Sequence, residues 1–398
     1  MKIRFYLILM TLTAVVSDTM LHPFYPHFFS DRFDIQTPEH TGYYLAACCL
    51  TVMVAFPFWA YVNKKVHLFK ILIYTQVIAG MLCISCYWIE DIELFWVVAL
   101  SMIAFKGSYL LVYPFIMKIE EQENHASAIS ILSVVLHLGA ILGAFIGGMM
   151  VDWFDTKLVF FVMAVGDFIQ MGMCLYLRSI YDFDKELTVM AGQTQESRPS
   201  SSLFKIPTPI LKVSIITLVL YFSTFMIRPF FSLYWEQVSE YDSKSTTGLV
   251  YAIPAFVGLA ALWYNTKHKE QTNPFLGILP ALGLGISGIL LQGIPNDTAV
   301  LVGRIVYGWA VFQVYVKFDV IAFQLSSPAD YAMDYSKIHF FQNIGVLSAS
   351  IVAGWLVDWY DLQMPFWVAA AGFVMTLLIY YVSFRHEFER KLDIELVK

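Results

Sequence analysis

A handful of ionisable side chains interrupt otherwise apolar stretches of this sequence, and they carry most of its chemistry. Lys106, Arg228, Arg304 and Lys317 are basic, Asp18, Asp167 and Asp319 are acidic, and His22, His137 and His339 are imidazoles. A charge set among hydrophobic residues is costly in a bilayer and faces the protein interior or water when it occurs there. Asp18 and His22 are four residues apart, which on a continuous helix puts them on one face. A carboxylate beside an imidazole can exchange a proton near neutral pH. Asp18 can equally serve as a fixed counter-charge to Lys106 or Arg228. Arginine suits two-pronged recognition of a carboxylate or phosphate. His137 reads as a satisfied interior histidine, and Asp167 as a packing or interfacial residue.

Other chemistries find no support. No nucleophile elbow, Walker loop, glycine-rich nucleotide loop or metal-ligand cluster occurs, which argues against an enzyme, a cofactor, a resident metal and an ATP-driven pump. Cys83-Ile-Ser-Cys86 has redox spacing but no second pair, and it lies among Met81, Leu82, Ile84 and Tyr87. These cysteines read as small hydrophobes. A net charge of -6 with no basic patch excludes a nucleic-acid partner.

The elements that hold these residues follow from composition. Of 398 residues 58% are hydrophobic and only 14% charged, and mean hydropathy is +0.64. Soluble domains carry about 25% charged residues. The chain is therefore a multi-pass membrane protein. Apolar runs long enough for membrane helices fall near 5–30, 41–62, 69–88, 94–117, 126–150 and 157–180, then near 209–235, 244–264, 274–293, 298–325, 337–357 and 363–385. The polar stretch between the two sets, 181–208, reads as a linker between an N-terminal bundle (1–180) and a C-terminal bundle (209–398). With the N-terminus inside, only Arg32, Lys157 and Lys244 among the loop cations face outward, and the remainder gather on the cytoplasmic side. Both termini and the linker are expected in the cytoplasm.

A repeat organises the spans. Asp152-Trp-Phe-Asp155 recurs as Asp358-Trp-Tyr-Asp361, Ser17 to Phe24 aligns with Ser223 to Phe230, and Thr41-Gly42 with Thr247-Gly248, all at an offset of 206 residues. Each half has six spans, so the halves share one orientation and are related by an axis along the membrane normal. On this pattern the chain resembles the major facilitator superfamily over essentially its whole length. The resemblance implies an all-α fold of twelve transmembrane helices in two six-helix bundles, with spans 1, 4, 7 and 10 lining a central site. Motif matches are partial. The span 2–3 loop keeps the basic pair Lys64-Lys65 but lacks the family's acid and glycines. Span five carries Gly139, Gly143, Ala144, Gly147 and Gly148, similar to the glycine motif of drug/proton antiporters with Ala144 in place of proline. Span ten carries Arg304-Ile-Val-Tyr-Gly308, similar to an Arg-x-x-Gln-Gly element of span four.

The resemblance puts Asp18, His22, Lys106, Arg228, Arg304, Lys317 and Asp319 on the cavity helices. It implies substrate contact by Lys106, Arg228, Arg304, His22, Tyr109 and Tyr307, proton coupling by Asp18 and His22, and a gating or structural role for Lys317 and Asp319. The expected protein is a monomeric secondary transporter in a bacterial inner membrane. It would move a small organic anion, such as a carboxylate metabolite or carboxylate-type siderophore, by alternating access with proton coupling. A drug or metabolite exporter of the same fold and a non-transporting receptor or scaffold are the alternatives. The orientation has a direct check: protease added to right-side-out vesicles should leave 190–203 intact and cut it in inverted vesicles, because the charge asymmetry sets that side.

Overall fold

The computed structural model describes residues 2–63, 65–119, 125–180, 206–241, 243–267, 274–326 and 331–396. Lys64 and residues 181–205 of the expected linker lie outside them. Among the described residues the chain is helical, without strands. Before the linker come α1 (Lys2–Thr19), α2 (Tyr25–Phe33), α3 (Pro38–Asn63), α4 (Leu68–Trp88), α5 (Ile92–Lys106), a 3-10 segment (Gly107–Leu111), α6 (Val112–Ile119), α7 (His125–Trp153) and α8 (Val159–Ile180). After it come α9 (Thr208–Met226), α10 (Phe231–Val238), α11 (Lys244–Lys267), α12 (Pro274–Gln292), α13 (Asp297–Leu325), α14 (Tyr331–Trp359) and α15 (Met364–Leu396). Eleven stretches of the described residues are long and apolar enough to cross a membrane. The twelfth expected span is the broken pair α1 and α2.

The 206-residue offset governs helix boundaries as well as motifs. At that spacing α2 and α10, α3 and α11, and α4 and α12 begin, and α7 and α14 end. The break in the first span recurs in the seventh. Pro23 and Pro229 have no N–H to continue the ladder and crowd the preceding turn. Phe24 and Phe230 then start the next helix with nearly equal backbone angles, φ -116° ψ 8° and φ -115° ψ 10°. The break corrects one expectation. Because α1 stops at Thr19, His22 stands in a turn, its N–H 3.3 Å from the Thr19 carbonyl, and does not share a helix face with Asp18.

The chain forms two compact units, one of Met1–Glu196 with Tyr241–Ala252, the other of Ser197–Glu240 with Ile253–Lys398. In the first, one apolar cluster centres on Phe28, Phe29, Tyr44, Phe95 and Phe160, and a second on Leu7, Phe69, Leu72, Leu111 and Leu177. The repeated aspartates cap helices. Asp152 accepts from the backbone N–H groups of Lys244 and Ser245 at 2.7 Å each, covering the first turn of α11. Asp155 accepts from Lys157 N–H at 3.1 Å, and Asp361 from Gln363 and Met364 at 2.8 and 2.9 Å. In the second unit, buried tyrosines satisfy backbone groups: Tyr234 donates to the Gln292 carbonyl and Tyr380 to that of Phe275, both at 2.8 Å.

The glycine run of α7 is a packing surface. A Cβ on Gly139 or Gly143 would run into Val15 or Thr19 of α1, one on Gly147 into Met20 just after it, and one on Gly148 into the backbone of Lys244. Gly143→Val should therefore lower the stability of the detergent-solubilised protein by about 1–3 kcal/mol, the usual cost of overpacking. Gly172→Ala, where no atom lies within 4 Å of the added methyl, should leave thermal unfolding unchanged.

Candidate functional site

Where the two apolar clusters of the first unit meet, three helices bring charge together. Pro114 denies α6 one N–H and crowds the carbonyl of Leu110, four residues earlier. The helix tightens to 3-10 over Gly107–Leu111, so Lys106 ends α5 at the change of pitch. The indole of Trp59 donates to the Ala104 carbonyl at 2.7 Å, and Thr75 and Ser108 share a hydroxyl hydrogen bond of 2.7 Å. On the facing side α8 approaches α1 closely because Gly166 has no side chain; a methyl there would overlap the Ser17 hydroxyl.

That approach places Asp167 beside Lys106. The ammonium is 2.9 Å from Asp167 Oδ1 and 3.3 Å from Asp18 Oδ1. The Lys106 side chain is 6% exposed, Asp167 1% and Asp18 27%, so Asp18 is the member open to its surroundings. Tyr109 lies beside Asp18. Cys83 Sγ is 3.4 Å from Asp167 Oδ2 and 3.0 Å from Met102 Sδ. The site thus corrects one reading from the sequence: Asp167 is the buried partner of Lys106. Cys83 lies in the apolar core, as read, with its thiol against that partner. The placement of span six at the periphery concealed Asp167. Gly166 beside it was the available signal, since a small residue at a helix contact lets the next side chain reach inward.

The second unit repeats this geometry without the charges. The 206-residue counterparts of Asp18, Lys106 and Asp167 are Thr224, Phe312 and Phe373, all buried. Tyr315 matches Tyr109, and its hydroxyl donates to Thr224 Oγ1 at 2.9 Å. Gly372 matches Gly166 and abuts the Ser223 hydroxyl as Gly166 abuts Ser17. The packing therefore does not require the trio.

The remaining expected residues are distributed as follows. Arg228 is exposed at the break after α9, the counterpart of exposed His22, with its guanidinium 5.6 Å from the Phe225 ring centre. Arg304 is buried, 4.0 Å above the Phe231 ring. The Tyr307 hydroxyl is 3.4 Å from the Thr224 carbonyl. Lys317 donates to Gln313 at 3.1 Å, and Gln313 and Asn265 exchange amide hydrogen bonds. Asp319 is exposed two residues further along α13. The His137 ring nitrogen is 2.7 Å from the Ser133 carbonyl, a locally bonded imidazole. The described residues include no group of three or more His, Cys, Asp or Glu side chains suited to a metal.

Helices that span a membrane, a repeated six-span half and an intramembrane ion cluster define a membrane transporter. The chain belongs to the major facilitator superfamily, whose pattern matches residues 7–291. Among solved structures it is similar to the nucleoside transporter NupG, with TM-score 0.73, 12% identity, and 96% of this chain and 99% of that one covered. A peptide transporter solved with sulfate gives TM-score 0.73 at 11% identity over 97% and 95% of the two chains. A human organic anion transporter gives 0.70 at 11% identity over 95% and 98%. At these identities the likeness is one of fold. Family and fold point to a transporter rather than an enzyme.

Breaking a buried ion pair from one side strands a charge and costs about 3–5 kcal/mol, whereas replacing the whole set with well-packed apolar groups is often neutral. Lys106→Ala should accordingly destabilise the protein by about that amount in thermal unfolding. The triple variant Asp18→Thr, Lys106→Phe, Asp167→Phe, which copies the second unit, should recover most of the loss. A triple variant no more stable than Lys106→Ala would show that the charges themselves support the packing.

Proposed function

We propose that the chain is a proton-coupled secondary transporter of a small organic anion, working by alternating access, with the trio Asp18, Lys106 and Asp167 as its coupling site. The supporting observation is the charge count in that site. One ammonium faces two carboxylates, so the trio holds either a surplus negative charge or a proton. Asp167, sealed in the interior, is the fixed counter-ion, and Asp18, the open member, is the carboxyl that exchanges. Groups buried at such cost in one unit and replaced by Thr224, Phe312 and Phe373 in the other serve function rather than folding. His22, in its exposed turn, is a relay toward Asp18.

This assignment moves anion recognition away from Lys106, which is committed to two acids. Arg228 takes that role, supported by Arg304 and by the hydroxyl of Tyr307. Lys317 and Asp319 are proposed as gating charges near the inner end of α13. The exporter alternative loses its main motif, because the α7 glycines are used in contacts with α1. We assign the bundles to 1–180 and 209–398, with linker and termini in the cytoplasm of a bacterial inner membrane and a monomer as the working unit.

In proteoliposomes screened with organic acids, Asp18→Asn should abolish accumulation driven by a pH gradient while preserving exchange between two loaded sides. Exchange need not release the proton, and the amide keeps the shape of the carboxyl. Accumulation that persists in Asp18→Asn would make Asp18 a structural counter-ion only.

A further inference from the structure

Buried polar groups of the first unit continue past the ion trio. On α4, Leu72, Gln76, Gly80 and Cys83 follow at helical spacing along one buried face. Asp167, Gln170, Cys174 and Leu177 do the same on α8. Both helices are unbroken over these residues, and they run antiparallel, meeting at two levels. At one, the Cys83 thiol is 3.4 Å from Asp167, and a methyl on Gly80 would overlap the Phe168 ring. At the other, Leu72, Cys174 and Leu177 share an apolar cluster with Phe69. Gln76 and Gln170 lie between these levels, 1% and 2% exposed. Seven residues separate Gln76 from Cys83, about 10 Å along the helix axis.

Gln76 supplies the deciding observation. Its Nε2 and Oε1 are both buried, and neither meets a hydrogen-bond partner among the described residues. In the preceding position, the Thr75 hydroxyl shares a hydrogen bond of 2.7 Å with that of Ser108, which is two residues from Lys106. A buried amide with both ends unpaired is costly, and internal water satisfies such groups, typically through about three hydrogen bonds. The second unit has no such layer. There the 206-residue counterparts of Thr75, Gln76 and Ser108 are Ala281, Leu282 and Val314, all buried. Thr376, the counterpart of Gln170, donates to the Gly372 carbonyl of its own helix at 2.8 Å. The polar layer accompanies the trio and not the fold.

We propose that Gln76 anchors internal water between α4 and α8, and that this water carries the exchanged proton between the trio and the Leu68 end of α4. A proton joins the chain of waters at one end and another leaves at the other. One O–H bond breaks as the next forms, so no charge stays behind. Leu72, Cys174 and Leu177 close the far end of the layer, so the proton passes only when they part. Gln76 is thus a positioning residue that acts through the water. This inference rests on the proton-coupling reading and adds the proton's route to it.

Brief X-ray irradiation turns water into hydroxyl radicals where it stands, and mass spectrometry reads the side chains oxidised beside it. The purified parent should be labelled at Cys174, which is fully buried one turn beyond Gln170. Gln76→Leu copies Leu282 and should lower that labelling about tenfold, the loss expected when a hydrogen bond or two to the water is removed. Gln76→Met, unbranched and of similar length, repeats the comparison with a different apolar shape. In proteoliposomes both variants should accumulate substrate under a pH gradient about tenfold more slowly than the parent. A parent unlabelled at Cys174, equal labelling in parent and both variants, or accumulation at the parental rate in both variants overturns the proposal. The labelling uses neither substrate nor gradient, so it is read separately from the coupling reading, whose own failure shows as accumulation that survives in Asp18→Asn.

Discussion

An ammonium enclosed between two carboxylates sets the terms for the first unit. Removing each ion from water costs several kcal/mol even after relaxation, and attraction at close range offsets this only if the partners are held in place. The partners come from three helices, so α1, α5 and α8 must meet at fixed depth and angle. Gly166 lets α8 reach α1, Pro114 causes the pitch change that brings Lys106 inward, and the α7 glycines press α1 from its other side. Apolar clusters pack on either side of the contact. Together these features keep each charge of the trio beside a partner.

The second unit shows what the same scaffold looks like when that requirement is lifted. Its break falls at the same place, its tyrosine stands at the same position, and its glycine meets the same serine, yet Thr224, Phe312 and Phe373 fill the charged positions. Duplication kept the helix boundaries in register to the residue at several points, while the chemistry diverged. The first unit carries the ion cluster of Lys106, Asp18 and Asp167, and the second carries an exposed arginine at the break after α9 and an exposed aspartate on α13.

The scaffold was legible because its signals are local and repeated. Apolar runs end at polar or turn residues, so the spans starting at Pro38, Leu68, Lys244 and Pro274 lie within three residues of the expected starts. Pro23 and Pro229 stand at matching positions in the two breaks, and the first helix ends at Thr19. The site was only half legible. Lys106 and Asp18 announced themselves as charges in apolar runs, but pairing is a tertiary fact. Asp167 lies on a helix that periodicity alone cannot rotate toward the interior, and the contact of Cys83 with it depends on side chains from two helices. Net charge at the site could not be counted until Asp167 was placed.

The central claim is that Asp18, and not its sealed partner, exchanges a proton inside the membrane. Infrared difference spectroscopy of the reconstituted protein across a pH titration reads this directly through the carboxylic-acid C=O band. The account predicts a band that grows as the pH falls, is present in the parent and is lost in Asp18→Asn. A protonation band that persists unchanged in Asp18→Asn, or a parent with no titrating carboxyl band, would contradict it.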